Sequence, residues 1–232
     1  MMKSRALLNS SGQYKSLKNT LYLLFLIVFP SAYADQCHIS IHPCSLIGCN
    51  NTINIDVSMP VLEEVHSAYD RIAFLVSTDG KWDDVDHDCR DTRAEVLAAT
   101  SLIPVVFSEN GCVVELGLWY DPYSDGTFEF AHDLDIDHIV PIKEAHESGA
   151  DKWSDVDRSW FANKFMKSAN LIPVWNSVNR SKGARELNEW LPPNGEYICK
   201  YIYRWVYVKW WSGLSVDLEE CTFIKDHLIA CS

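Results

Sequence analysis

The chain has little of what would mark a membrane protein or a multidomain protein. After residue 34 no apolar run is long enough to cross a bilayer, and no internal repeat, low-complexity tract or linker-like stretch divides the sequence. The absence of a Gly-x-Ser-x-Gly segment argues against a serine hydrolase. No helix-turn-helix or zinc-finger pattern is visible, so the sequence offers no module that reads bases.

The first 34 residues have the composition of a targeting segment. Four basic side chains precede the apolar run Leu21–Pro30, which is too short to span a bilayer, and the small-x-small sequence Ala32-Tyr-Ala34 follows. We therefore expect a signal peptide over residues 1–34, cleaved after Ala34. The mature protein is expected to be secreted or periplasmic, without membrane contact, and to form a single domain over residues 35–232.

All eight cysteines follow the targeting segment, at positions 37, 44, 49, 89, 112, 199, 221 and 231. An even number in an exported protein predicts up to four disulfides, whose connectivity the sequence does not give. A zinc site is the alternative, and its ligands would be Cys37, Cys44 and Cys49 with His38 and His42. That spacing fits no Cys-x-x-Cys pattern, so the sequence favours disulfides, and a cysteine hydrolase is disfavoured with them.

Charge is unevenly distributed along the chain, whose formal net charge is −12. Residues 50–137 contain 4 basic and 19 acidic side chains, whereas residues 138–211 contain 11 basic and 8 acidic ones. The second segment could form a positive groove that holds a polyanion on an acidic body, with modest and salt-sensitive affinity. Ordinary surface charge is an equally good interpretation.

Sequence periodicity predicts an α+β fold in a helix-rich single domain stapled by disulfides. Helices are predicted over residues 59–76, 91–99, 142–147, 154–163, 177–190, 196–211 and 217–229. Strands are predicted over residues 113–120, 126–130, 133–140 and 170–174. The aromatic stripe of the 196–211 helix is assigned to core packing rather than to a ligand platform.

The dipeptide Asp137-His138 closes an acidic run, and Asn170 and Asn179 follow it at a spacing of nine residues. A neutral imidazole, with a pKa of about 6.5, can take a proton from water, and carboxylate and amide oxygens bind hard cations. These groups are the minimum equipment for metal-assisted phosphodiester hydrolysis. The dipeptide alone would more simply be a surface strand with a chance histidine; the two asparagines favour a site.

An ordered set of motifs carries a resemblance to a known family. The motifs are YDR (69–71), CRDTRAEVL (89–97), GCVVELGLWYDPY (111–123), DLDIDHIVPIKEAHESGA (133–150), RSWFAN (158–163), NLIPV (170–174), NRSKG (179–183), EWLPP (189–193) and CKYIYRWVYVK (199–209). Over residues 69–220 the chain resembles the secreted bacterial HNH, or His-Me finger, endonucleases. The resemblance implies a ββα-metal core at about residues 130–190, a disulfide between Cys89 and Cys112, and hydrolysis of DNA, or of RNA, with little sequence preference.

The resemblance and the chemistry agree on roles for the matched residues. His138 is the expected general base, and Asn170 is expected to tie down the following loop and orient the base. Asp137 and Asn179 are expected to hold Mg²⁺ or Mn²⁺ through oxygen atoms. Candidates for contact with the phosphate backbone are the basic side chains Arg180, Lys182 and Arg185.

Each role has a structural alternative. Asn170 could be only a turn cap, Asn179 a helix-surface residue, and the basic side chains a solvated helix face. Asp135 could lie beside the site rather than bind the metal. Residues 83–91 could bind Ca²⁺, but a solvated loop is the default expectation there. The alternative for the whole protein is a non-catalytic, disulfide-stapled binding protein that retains the fold. The sequence leaves open whether the protein has an immunity partner.

Overall fold

Short strands and helices make up the described residues, which are 35–41, 55–74, 82–163 and 169–231 of a computed structural model. The strands are β1 (Gln36–Ile41), β2 (Ile55–Pro60), β3 (Val106–Phe107), β4 (Val114–Asp121), β5 (Gly126–Phe130), β6 (Leu134–His138) and β7 (Leu171–Trp175). The helices are α1 (Thr92–Thr100), α2 (Ile142–Glu147), α3 (Asp155–Asn163), α4 (Asn176–Lys182), α5 (Ile198–Ser212) and α6 (Leu218–Ile229). In these residues no helix has the length and apolar character needed to cross a membrane. The predicted signal peptide lies outside the described residues.

The described strands form three small antiparallel sheets, β1–β2, β3–β4–β5 and β6–β7. In the β6–β7 pair, Asp137 lies opposite Ile172 and His138 lies opposite Leu171. Successive side chains of a strand point to opposite faces. Asp135 and Asp137 therefore share one face of β6, and His138 belongs to the other. Helices with small sheets are the α+β arrangement that the sequence predicts.

Each face of the β6–β7 pair packs on its own group of buried apolar side chains. The face of Asp137 meets the larger group, in which Ile172 lies with Tyr201 and Trp205 of α5. The other face meets a smaller group formed with α1 and β4, which includes Ile136. Tyr201, Trp205 and Val208 are fully buried, which confirms that this part of the predicted stripe is core, whereas Trp211 at its end is 50% exposed.

Most predicted elements occur within two residues of their expected limits, but two helices differ. Over residues 59–74 the helix prediction is wrong, because β2 extends to Pro60 and only a 3-10 turn, Ile72–Phe74, follows. Pairing with β1 decides the conformation of β2, and local apolar spacing does not report such long-range pairing. The helix predicted over 177–190 ends at Lys182, where Gly183 takes a positive φ of 59°.

Three disulfides join the described cysteines: Cys37–Cys221, Cys89–Cys112 and Cys199–Cys231. The pairing of Cys89 with Cys112, which the family resemblance implies, is confirmed. The zinc alternative is wrong for Cys37, because its sulfur is bonded to another cysteine and cannot be a thiolate ligand. Residues 42–54, which carry the other cysteines of that alternative, lie outside the described residues.

The disulfides are expected to differ in their contribution to stability. The Cys37–Cys221 bridge closes a separation of 184 residues, and the Cys89–Cys112 bridge closes one of 23 residues. Loop-closure entropy then predicts losses of about 5 kcal/mol for Cys37→Ala/Cys221→Ala and about 3 kcal/mol for Cys89→Ala/Cys112→Ala. Urea unfolding of the two double variants measures both losses. A larger loss for the short loop would contradict the prediction.

Candidate active site

The candidate site is built on the β6–β7 pair and on α4, which begins directly after β7. Asn179 Nδ2 donates to Asp135 Oδ2 at 3.1 Å, and Lys182 Nζ donates to Asp137 Oδ2 at 2.6 Å. Asn179 and Lys182 are three residues apart, which is about 4.5 Å along a helix, and Asp135 and Asp137 are two residues apart, which is about 6.6 Å along a strand. One face of α4 therefore meets two successive carboxylates on one face of β6.

Asp137 lies in a buried polar contact rather than in open solvent. Its Oδ2 atom accepts hydrogen bonds from Tyr123 Oη at 2.7 Å and from Lys182 Nζ at 2.6 Å. Burial raises the pKa of Asp137 above its ordinary value, and the charge of Lys182 opposes that shift. Lys182 Nζ also donates to the carbonyl oxygen of His138 at 2.6 Å. The ammonium group thus holds the end of β6 at two consecutive residues.

His138 lies on the opposite face, among aromatic rings. Its ring stacks on Trp82 at a centroid distance of 5.4 Å and on Phe161 at 6.4 Å. His138 Nε2 lies 2.8 Å from the carbonyl oxygen of Ala162. A carbonyl oxygen can only accept, so in the neutral ring Nε2 carries the proton and Nδ1 carries the lone pair.

The charge state of His138 follows from its surroundings. The pKa of His138 is lowered to about 3: burial is the main cause, the hydrogen bond to Ala162 opposes it, and the positive charges of Arg71 and Lys182 add to it. The imidazole is therefore neutral at neutral pH. A proton acceptor must be unprotonated to work as a base, and this one is held in that form.

Asn170 joins the end of β6 to the start of β7. It is fully buried. Its Oδ1 atom accepts a hydrogen bond from the backbone N–H of Val140 at 3.0 Å, and its backbone oxygen accepts one from Ile139 at 2.7 Å. These bonds reach 30 residues back along the chain, which a local turn cap would not do. Asn170 thus restrains the segment directly after His138, and its part in catalysis stays a prediction.

A pocket of about 360 Å³ brings the candidate residues together. Asp137, His138, Asn179 and Arg180 all line it, and Arg71 joins them from the segment after β2. Arg71 occurs in the YDR motif, but the sequence assigns it no role. The helix predicted around it gave no reason to expect it beside β6. Arg71 and Arg180 are both exposed, so the pocket has two guanidinium groups that solvent reaches.

The three basic candidates of the NRSKG region differ in location. Arg180 is exposed and lines the pocket. Arg185 is exposed, and its Nη1 donates to the carbonyl oxygen of Ser181 at 2.6 Å. Lys182 corrects the sequence expectation: it is 0% exposed and paired with Asp137, so its ammonium group does not lie on a surface that phosphate could reach. Its position three residues after Asn179, on the same helix face, is the signal that could have shown this.

The structure also gives the positions of Asp135 and of the acidic loop over residues 83–91. Asp135 is a hydrogen-bond acceptor for the Asn179 amide, which places its carboxylate beside the pocket. In the 83–91 loop, Asp84, Asp86 and Asp88 each offer an oxygen within 4.8 Å of the others. Exposed acidic groups often converge without an ion, so the solvated loop stays the prediction and Ca²⁺ binding its untested alternative.

The pocket thus combines an imidazole with carboxylate and amide oxygens on a strand pair followed by a helix, and these are groups that phosphodiester hydrolysis can use. A family model supplies the class: the model of the C-terminal domain of GmrSD restriction endonucleases matches residues 98–214. The chain belongs to this family and is therefore a nuclease-family protein. The matched residues include β6, β7 and α4.

One relative extends the similarity outside that domain model. A protein of Arthroderma benhamiae (strain ATCC MYA-4681 / CBS 112371), named "Uncharacterized secreted protein", is 35% identical over 150 residues, which are 65% of this chain and 72% of the relative. No solved structure matches the chain. The HNH type, the metal and the bacterial branch stay predictions.

The buried position of Lys182 can be tested by stability. Lys182→Met would leave the Asp137 carboxylate buried without its cation, so we expect a loss of about 3–5 kcal/mol in the free energy of unfolding. Arg180→Met, two residues earlier on the exposed side of α4, should change it by about 0.5 kcal/mol or less. Urea unfolding measures both variants. Similar, small losses in the two would contradict the buried ion pair.

Proposed function

We propose that the protein is an exported, metal-dependent HNH-type endonuclease that hydrolyses phosphodiester bonds of DNA, or of RNA, with low sequence specificity. The proposed catalytic domain is residues 35–232. The observation that carries the proposal is the convergence of a neutral His138 with Asp137 and Asn179 at one pocket. Membership in a restriction endonuclease domain family supports the nuclease class.

His138 is the general base of the proposed reaction. With Nε2 bonded to the Ala162 carbonyl, Nδ1 is the atom that takes a proton from the attacking water. Stacking on Trp82 and Phe161 restricts rotation of the ring, and Asn170 restrains the chain that follows it. These contacts hold the base in one tautomer and one orientation, so little reorganisation is needed when the proton moves.

The oxygen atoms left available at the pocket fit a hard divalent cation. Tyr123 and Lys182 bind Asp137 Oδ2, which leaves Oδ1 of that carboxylate. Asn179 Nδ2 is directed to Asp135, which leaves Asn179 Oδ1. Two protein oxygens, completed by water and substrate, suit Mg²⁺ or Mn²⁺. Such an ion, when bound, neutralises charge on the scissile phosphate and on the leaving oxygen.

Exposed guanidinium groups provide the proposed contacts to substrate. Arg71 and Arg180 line the pocket, and Arg185 is exposed one turn beyond α4. Planar guanidinium groups bind phosphate through paired hydrogen bonds and carry no information about base sequence. Few such groups on an acidic chain imply modest, salt-sensitive affinity and low sequence specificity.

Disulfide content and one relative support the proposed export. Three disulfides join the described cysteines, and such bridges persist in oxidising compartments outside the cytosol. The Arthroderma benhamiae relative is named a secreted protein. Both observations agree with the signal peptide expected over residues 1–34.

A non-catalytic binding protein with the same fold is the competing class. Such a protein would not need a base, a metal ligand and an orienting asparagine at the same pocket. This chain has all four residues, namely Asp137, His138, Asn170 and Asn179. One pocket is lined by Asp137, His138 and Asn179. No observation specifically favours the binding class, so the endonuclease is preferred.

Removal of the base tests the mechanism. We expect the purified protein to nick supercoiled plasmid with Mg²⁺ or Mn²⁺ and to stop when EDTA is added, because the metal carries part of the catalysis. His138→Ala should lower the nicking rate by about 10²–10⁴-fold. His132→Ala is the matched control, because its side chain is 78% exposed, and it should nick at the wild-type rate.

The possible failures of this experiment have different meanings. A wild type that cleaves neither DNA nor RNA with any of several divalent ions would contradict the nuclease proposal. Equal rates for His138→Ala and His132→Ala would contradict the role of the base and leave the class intact.

Removal of the amide oxygen tests the metal site separately. Asn179→Ala should raise the Mg²⁺ concentration for half-maximal nicking by about tenfold or more, because one protein ligand is lost. Asn176→Ala, on the first turn of the same helix, is the control and should keep the wild-type requirement. A common Mg²⁺ dependence in both variants would remove Asn179 from the proposed ligand set.

A further inference from the structure

A second group of carboxylates lies outside the candidate active site. Glu64, Glu144 and Glu186 each offer an oxygen atom, and these atoms all lie within 4.8 Å of one another. They come from three distant parts of the chain: the segment after β2, helix α2 and the turns after α4. Glu144 is fully buried, and the other two are half-buried. The group is therefore open to solvent on one side.

Lys209 shares its positive charge between a carboxylate of this group and one outside it. Lys209 is fully buried, and its Nζ lies 2.5 Å from Glu144 Oε1 and 2.5 Å from Glu220 Oε2. The same Nζ donates to Ser148 Oγ at 2.9 Å. One ammonium group thus balances two fully buried carboxylates. Lys143 also interacts with Glu64, but it is paired with Glu147, so Glu64 and Glu186 have no cation to themselves among these two lysines.

The two oxygens of Glu144 differ in their partners, and its carboxyl group lies within hydrogen-bonding reach of Glu64. Its Oε1 atom accepts a hydrogen bond from Ser148 Oγ at 2.7 Å. Its Oε2 atom is buried and has no hydrogen-bond donor in the described part of the chain. A buried carboxylate oxygen needs a donor or a cation to replace its lost hydration. Either a proton shared with Glu64 or a bound metal ion would meet that need.

We propose that Glu64, Glu144 and Glu186 bind a divalent cation, with Ca²⁺ preferred, at a site separate from Asp137 and Asn179. Oxygens that all lie within 4.8 Å of one another can surround one ion, and Ca²⁺ takes carboxylate oxygens at about 2.3–2.6 Å in a flexible geometry. Mg²⁺ is a poorer fit, because it requires near-octahedral geometry at about 2.0–2.1 Å.

The bound ion would link three segments beside the candidate active pocket. Lys143 and Ala184 line that pocket, and they lie one and two residues from Glu144 and Glu186 in the sequence. A cation that joins these segments to Glu64 stabilises the folded chain, since the unfolded chain has no such arrangement. The site is thus structural, and it does not depend on the proposed nuclease activity.

Isothermal titration calorimetry of the chelator-treated protein with Ca²⁺ tests the site. Glu64→Gln/Glu186→Gln removes two ligands at half-buried positions and should weaken Ca²⁺ binding at the site at least tenfold. Glu63→Gln/Glu129→Gln makes the same change of charge at exposed positions and should bind as the wild type does. Glu144 itself is retained because Lys209 depends on it. The 84–88 acidic loop is intact in every variant, so any Ca²⁺ bound there contributes equally to every titration.

Thermal melting separates the structural ion from the catalytic one. Ca²⁺ should raise the melting temperature of the wild type, of Glu63→Gln/Glu129→Gln and of Asn179→Ala, but not that of Glu64→Gln/Glu186→Gln. Unchanged Ca²⁺ binding in Glu64→Gln/Glu186→Gln would overturn the proposal. A wild type that binds no Ca²⁺ would also overturn it and would assign Glu144 Oε2 to a proton shared with Glu64.

Discussion

The buried ion pair between Lys182 and Asp137 is the constraint on which the candidate site depends. It joins the last residue of α4 to the end of β6, and the bond from Nζ to the His138 carbonyl extends the link by one residue. A shift of α4 would leave a buried charge without its partner, which is costly. The pair therefore also fixes where Asn179, one turn earlier, meets Asp135. Its contribution is to the geometry of the site, since burial of both charges offsets much of their attraction.

Strand alternation gives the proposed base and the proposed metal ligand opposite surroundings. Asp137 faces hydrogen-bond donors from Tyr123 and Lys182, whereas the adjacent His138 faces aromatic rings and one carbonyl oxygen. Burial lowers the pKa of the histidine, which keeps it neutral. The proposed catalytic site needs an uncharged base and a charged metal ligand at the same pH. The adjacent residues His138 and Asp137 can meet both requirements because they point to opposite faces of β6.

Local patterns explain which parts of this structure were predictable. Helix α2 was predicted with its observed limits, and α1 was predicted to begin one residue before its observed start at Thr92, where the Asp91 side chain caps it. The segment from Met59 was misassigned because its pairing with β1 lies elsewhere in the chain. At the site, Asp137 to Asn179 form one sequence block and were found together. Trp82 and Tyr123 arrive from distant segments, so no spacing could place them beside the block.

The location of the basic side chains decides how much positive charge this acidic chain can offer to a polyanion. Lys182 and Lys209 are fully buried against carboxylates, and Lys143 pairs with Glu147. Two of the basic side chains of residues 138–211 therefore lie inside the fold, and a third, Lys143, is paired with a carboxylate although its side chain is 43% exposed. The count of basic residues overstates the positive groove, and Arg71, from outside that segment, supplies part of what remains at the pocket. A chain with more carboxylates than accessible cations must obtain positive charge from elsewhere, which is a physical reason to expect divalent ions both at the proposed catalytic pocket and at Glu144.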